Sequence, residues 1–279
     1  MGLQLMFDDS RPGSGIEVRG LSHVFEGAGG HPLKVLDDVS FRIDKGEFVS
    51  IVGPSGCGKS TLLEIVAGLQ DFQSGIVTIG GAKPRRGNRD MGLMFARDCL
   101  LPWRSALENV ALGLEVRSVP GDRRAQCEQW LNEVQLGEFV NALPAQLSQG
   151  MRQRVALART FALEVPYLIM DEPFGALDAQ TKVALGGVLM QVWEKHADRT
   201  VMFVTHDLSE AIALSDRVIV LSRRPGRIIA DIRIELDRPR QADSLQQSAE
   251  FHAIYSELWG LLRKEVSAAP AMTRTEVLT

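Results

Sequence analysis

Residues 48 to 67 read FVSIVGPSGCGKSTLLEIVA, and three kinds of chain meet inside them. FVSIV, residues 48 to 52, is nearly all apolar and suits a buried strand. KSTLLEIVAGL, from Lys59, has the pattern of a helix closed by Gly68. Between them GPSGCGKST, residues 53 to 61, fits G-x-x-x-x-G-K followed by Ser. The mostly small residues Gly53, Pro54, Ser55, Gly56, Cys57 and Gly58 let backbone N–H groups close around phosphate oxygens at the positive end of the helix. Lys59 then reaches the β and γ oxygens, the Ser60 hydroxyl can ligate Mg²⁺, and Thr61 ends the cradle. A strand, a phosphate loop and a helix in that order predict nucleotide binding; the alternative is a Gly-rich turn with no ligand.

Three further stretches bear on the same chemistry. YLIMDEP, residues 167 to 173, ends an apolar strand in two carboxylates. Phosphoryl transfer needs a neutralising metal and an oriented nucleophile, so Asp171 would hold the Mg²⁺ water shell and Glu172 would polarise the attacking water. Taken alone, two adjacent acids are also a helix-start signal. FVTHD, residues 203 to 207, sets His206 at a strand end, where an imidazole can hydrogen-bond a γ-phosphate or serve the structure only. LSQGMRQRVALAR, residues 147 to 159, opens a helix with Ser148 and Gly150 at its N-terminus, followed by Arg152, Arg154 and Arg159. That is an anion site by its dipole, and equally a capped amphipathic helix.

Around these stretches the 279 residues alternate strand and helix patterns in the βα rhythm of a mostly parallel sheet, apart from a helical run from about Ala106 to Leu163. The opening segment offers one short strand and a Gly-rich turn, VSFRI a second strand, GRIIADIRIEL a hairpin edge, FHAIYSELWGLLRKEV a terminal amphipathic helix, and the last dozen residues a disordered tail. The formal charge of −4 excludes a general nucleic-acid binder with its basic face. No apolar run approaches the roughly 20 residues that span a bilayer, so a membrane role has to come through a partner. MGLQLMFDDS is acidic and lacks a secretory pattern, and Met6 argues against a myristoylation signal. The three cysteines Cys57, Cys99 and Cys127 form no C-x-x-C and suit a reducing compartment.

In this order the motifs resemble the ATP-binding cassette (ABC) ATPases, over nearly all of residues 15 to 235. The family's LSGGQ signature stands here as LSQGM, the segment after the two acids as GALD with Asp178, the switch histidine as His206, and the adenine-facing aromatic as Phe25. The resemblance implies an α/β fold: a P-loop NTPase (RecA-like) core with a mostly parallel sheet, an antiparallel β subdomain and an inserted helical lobe. It divides the chain into a core with β subdomain at 15–95 and 164–235, a signature lobe at 96–163, and a C-terminal helix and tail at 236–279. It also implies ATP and Mg²⁺ as ligands and a head-to-tail homodimer in which Ser148 and Gly150 act on the nucleotide held by the other subunit. LLPWRSALENVALGL and DRVIVLSRRPGRI are similar to the ATPase subunits of nitrate, sulfonate and taurine importers. That group implies transmembrane permease subunits, indirectly a periplasmic or lipid-anchored solute-binding protein, and a place on the cytoplasmic face of the cell membrane. With its loop open to solvent, Cys57 is expected to react with thiol reagents and to be shielded by ATP. Rival readings are a soluble cassette acting on DNA or ribosomes, which usually shows coiled-coil insertions or two cassettes, and a regulatory nucleotide-binding subunit with little hydrolysis.

Two departures from the family stand out. Ala96 replaces the Gln that contacts metal and attacking water, with Asp98 nearby as a substitute group, and Gln149 replaces a signature Gly. Between core and lobe, MFARDCLLPW, residues 94 to 103, sets Leu100, Leu101 and Trp103 either in a docking groove for the membrane partner or in the core.

Overall fold

The computed structural model describes residues 15–26, 30–196, 198–240, 245 and 247–267. The readings of the first ten residues and of the C-terminal tail lie outside them. Nine strands and seven α-helices follow in chain order among the described residues: β1 (Ile16–Glu26), β2 (Pro32–Ile43), β3 (Phe48–Val52), α1 (Lys59–Val66), β4 (Ser74–Ile79), β5 (Met91–Met94), α2 (Ala106–Val116), α3 (Arg123–Glu133), α4 (Gln149–Phe161), β6 (Tyr167–Asp171), α5 (Ala179–Lys195), β7 (Thr200–Val204), α6 (Leu208–Leu214), β8 (Arg217–Leu221), β9 (Ile228–Arg233) and α7 (Ala249–Ser267).

Six strands form one sheet in the order β5-β6-β7-β3-β8-β9, parallel except for the β8/β9 hairpin. Helices cover it, so β3 and β7 are buried along their whole length, as continuous apolar runs require. Parallel pairing puts the C-terminal ends of β3, β6 and β7 on one edge, with Val204 opposite both Ile51 and Asp171. A second, antiparallel sheet, β2-β1-β4, packs with α1 on one face of the main sheet. Helices α2 to α4 share their core with α5 and with β6 and β7 residues such as Leu168, Met170, Val201 and Phe203. The terminal helix α7 packs Phe251 and Leu258 against α6, β8 and β9.

β2 starts well before the VSFRI stretch that the apolar pattern marks. Asp37 and Asp38 interrupt the alternation, and the fold accommodates them: Asp37 pairs with Lys34 and Arg227, and Asp38 takes a left-handed φ of 54° at a register shift. The 94–103 stretch divides its apolar side chains. Leu100 packs on the helical core, Leu101 is half-buried, and Trp103 stands 72% exposed. The buried Asn109 fixes this arrangement: its Oδ1 accepts from Leu101 N–H at 2.7 Å, and its Nδ2 donates to the carbonyls of Leu101, Arg104 and Ser105 at 3.2, 2.9 and 3.0 Å. Ser105 and Glu108 form a reciprocal capping box that starts α2 directly after the loop.

On β1, His23 is 2% exposed and lies edge-on to Phe25, with ring centroids 4.5 Å apart. Neither ring nitrogen reaches a hydrogen-bond partner, because the nearby Gln73 amide is engaged by Val24, accepting its N–H at 3.0 Å and donating to its carbonyl at 2.8 Å. Burial holds the His23 pKa below its ordinary 6.5, with Gln73 opposing the shift. The unfolded chain therefore takes up a proton at this residue before the folded one does, and stability falls as pH drops from 6.5 toward the folded value. Urea denaturation of His23→Phe between pH 7.5 and 5 is expected to show a shallower loss of stability than the wild type; parallel pH profiles would contradict this account of His23.

Candidate active site

The phosphate loop leaves β3 at Gly53 and enters α1 at Lys59. Gly58, at the head of the helix, has φ +107°, and a Cβ there would come within 2.8 Å of Leu36 on β2, so its place needs glycine for both conformation and space. Ser55, Gly56 and Ser60 are exposed, and Pro54 and Thr61 half-buried. Lys59 is 7% exposed, and its ammonium donates to the carbonyls of Gly53 at 2.8 Å and Pro54 at 3.1 Å, which curls the loop around its tip. Phosphate oxygens of a bound nucleotide would compete for the same N–H groups. Cys57 corrects the expectation of an accessible thiol. Its side chain turns inward and is 1% exposed, and burial pushes its pKa up. A Cβ on Gly53 would meet the Cys57 Sγ at 2.8 Å, so the loop closes over the sulfur.

At the end of β6, Asp171 Oδ1 is buried without a hydrogen-bond partner. Burial raises the Asp171 pKa, the Glu172 charge adds to the rise, and a hydrogen bond with Ser60 opposes it. A buried acceptor with no donor, beside a hydroxyl at a phosphate loop, fits a divalent cation. Among the described residues no group of three or more His, Cys, Asp or Glu could hold a metal alone, so such an ion would depend on the nucleotide for further ligands. Glu172 follows with a left-handed φ of 45°, a conformation that costs a non-glycine residue about 1–2 kcal/mol. Its N–H donates to Val204 O at 2.8 Å and its carbonyl accepts from Gly175 N–H at 3.0 Å. Glu172 Oε2 lies 3.0 Å from His206 Nδ1, where β7 ends. With Glu172 as a carboxylate, Nδ1 carries the proton and donates, which fixes the imidazole tautomer.

Ser148 caps α4 by accepting from Met151 N–H at 3.2 Å, and at Gly150 a Cβ would lie 2.7 Å from Thr181 Cγ2. Asp178 caps α5: it accepts from Thr181 N–H at 3.0 Å and from the Thr181 hydroxyl at 2.7 Å, and these bonds lower its pKa. Phe25 is half-buried against His23 on β1. The structure thus brings Ser60, Asp171, Glu172 and His206 together through direct contacts, and sets Ser148, Gly150 and Asp178 at two helix starts that adjoin through Thr181.

Side chains of α4 tie these parts to the 96–99 loop: Arg152 and Arg159, which follow the signature, and Gln153, which the motifs did not single out. Gln153, 5% exposed, donates through Nε2 to Ala96 O at 3.3 Å and to Pro173 O. Arg159 donates to the carbonyls of Asp98 at 2.5 Å and Cys99 at 2.9 Å. Asp98 does not replace the side chain missing at position 96, because Oδ1 accepts from Leu100 N–H at 3.1 Å and Oδ2 from Arg152 Nε at 3.0 Å. A pocket of about 320 Å³ lies between Ala96, Gln149, Gln153, Pro173 and Ala176.

A family profile described as ABC transporter matches residues 36–175. An uncharacterized ABC transporter ATP-binding protein of Methanocaldococcus jannaschii is 42% identical over 252 residues, covering 90% of this chain and 92% of that protein. A taurine import ATP-binding protein of Rhizobium johnstonii is 41% identical, with coverage of 88% and 96%. An aliphatic sulfonates import ATP-binding protein of Pseudomonas savastanoi pv. phaseolicola is 44% identical, with coverage of 87% and 84%. Among solved structures, a dimeric bacterial ABC transporter cassette aligns with TM-score 0.69 and 33% identity, over 80% of this chain and all of that one. The same cassette in a post-hydrolysis state bound to ADP and Pi aligns equally well, at 31% identity.

The burial of Cys57 and Cys127 against the exposure of Cys99 yields a count. Native protein treated with a thiol reagent is expected to react rapidly at Cys99 and at the other two only after denaturation, with Cys57 labelling slow whether or not ATP is present. Rapid, ATP-sensitive labelling of Cys57 would show that the loop turns its sulfur outward in solution.

Proposed function

The chain belongs to the ABC transporter family, and from that premise we propose that it is the ATP-hydrolysing subunit of an importer for nitrate, a sulfonate, taurine or a similar small solute. The names of the taurine and sulfonate relatives support the solute class. Among the described residues no helix is long and apolar enough to cross a membrane. The reading assigns the membrane path to transmembrane permease subunits, solute capture to a periplasmic or lipid-anchored binding protein, and this chain to the cytoplasmic membrane face as a homodimer. The dimeric relative supports that pairing. The exposed Trp103 beside the half-buried Leu101 is the proposed permease-docking surface. Residues 15–95 and 164–235 act as the ATP-binding core, 96–163 as the signature lobe and 236–279 as the C-terminal segment.

The observation that carries the catalytic reading is the Glu172–His206 contact at 3.0 Å on the sheet edge that also holds Asp171 and the phosphate loop. Backbone N–H groups of residues 53–61 and the Lys59 ammonium bind the phosphates, and Phe25 stacks on the adenine. Ser60 and Asp171 hold Mg²⁺, which neutralises charge on the β and γ oxygens when bound. Glu172 takes a proton from the water that attacks the γ-phosphorus, as the bond to the β–γ bridging oxygen breaks and ADP leaves with its electron pair. His206 orients the Glu172 carboxylate by donating from Nδ1; a second donation, from Nε2 to the γ-phosphate, requires the imidazolium form, in which both ring nitrogens carry a proton. Ser148 and Gly150 at the head of α4, with Asp178 beside them, face the nucleotide held by the second subunit.

Purified Glu172→Gln is expected to keep ATP affinity while kcat falls by about 10² to 10⁴, the scale of a lost general base. Lys59→Ala should lose ATP binding or turnover altogether. Normal turnover in either variant contradicts the assignment of these roles, and a wild-type rate no higher than that of Glu172→Gln would favour a nucleotide-binding subunit with little hydrolysis.

A further inference from the structure

The signature departure at position 149 places a side chain where the family pattern has none. Gln149 is the first residue of α4, and its Nε2 donates to Ala176 O at 3.0 Å. One helical turn later, on the same face, the Gln153 amide donates to Pro173 O and Ala96 O. Two amides of one helix therefore grip the segment that runs from Pro173 to Ala176. That segment begins directly after Glu172 and is otherwise shaped by two backbone bonds, Gly175 N–H to Glu172 O and Leu177 N–H to Phe174 O, both 3.0 Å. Its upstream end is the strained φ of 45° at Glu172, and its downstream end is the Asp178 cap of α5.

Gln153 is buried and anchors the middle of α4 to this turn. Gln149 is exposed and sits next to the Ser148 cap, so it ties the turn to the outer end of the helix. A glycine at 149 would have no group to make that tie. We propose that Gln149 is a positioning residue for Glu172: through the Ala176 carbonyl it makes the placement of the catalytic carboxylate depend on where the head of α4 stands within the same subunit. When the helix start seats on its nucleotide, the turn and Glu172 are drawn with it; when it withdraws, the strained turn loses one of its holds. The inference rests on the proposed role of Glu172 as the proton acceptor.

The test is a double-mutant cycle on ATP hydrolysis by the full chain, using Gln149→Met, which keeps length and removes the donor, and Glu172→Gln. Loss of one such hydrogen bond is expected to lower kcat about 5- to 10-fold in Gln149→Met, with KM for ATP within about twofold, because binding rests on the phosphate loop. In the Glu172→Gln background the same substitution is expected to cost nothing further, since it acts through the group already removed. Gln149→Glu, which turns an acceptor toward the Ala176 carbonyl, should be at least as slow as Gln149→Met. A wild-type kcat in Gln149→Met, a loss confined to KM, or a cost that multiplies with that of Glu172→Gln overturns the inference while the role of Glu172 stands. A wild-type rate in Glu172→Gln overturns that role and the inference with it.

Discussion

The hydrogen bond from Glu172 N–H to Val204 O, 2.8 Å long, is the point on which the site depends. It extends the β6–β7 ladder one residue beyond Asp171 and so sets the Glu172 carboxylate, the proposed general base, level with the end of β7, where His206 follows. β7 in turn pairs with β3, whose last residues release the phosphate loop. One row of parallel pairing therefore determines the spacing of phosphate cradle, carboxylates and imidazole. The chain has to leave that row sharply after Glu172, and the left-handed backbone there meets the need at a local cost that the surrounding bonds outweigh.

Helix α4 stabilises the departure. Its polar side chains bond to the chain around them: Arg152, Gln153 and Arg159 hold the 96–99 loop, and Gln149 and Gln153 hold the turn after Glu172. Asn109 fixes the next stretch of the same loop from α2 and leaves Trp103 in solvent. The proposed docking surface at Trp103 is thus joined by hydrogen bonds, most of them part-buried, to the residues beside Glu172. The loop lacks a reaching side chain at Ala96, so the helix grips it by backbone carbonyls instead.

Local chemistry was legible in the sequence wherever spacing along the chain carried it. The phosphate loop, the two acids, the strand-end histidine and the capped start of α4 each declare themselves within about ten residues, and the parallel sheet follows from their βα rhythm. What depended on distant parts of the chain was hidden. The inward turn of Cys57 follows from closure of its loop against Gly53, and the glycine at position 58 that shapes the loop is covered by Leu36 on β2. The grips of Gln149 and Gln153 end on carbonyls 27 and 20 residues away, which no periodicity announces. β2 was read short because its two adjacent aspartates break the apolar alternation, while ion pairs to Lys34 and Arg227 make the first of them acceptable inside a strand.

The central claim is that the nucleotide is hydrolysed between two copies of the chain, with Glu172 of one subunit facing the α4 head of the other. Light-scattering mass of Glu172→Gln in saturating MgATP tests it most directly, because blocked hydrolysis lets the closed pair accumulate and reopen only as ATP dissociates. The account predicts a mass twice that of the nucleotide-free protein, reverting when ATP is removed. A strictly monomeric mass with the nucleotide bound would contradict it.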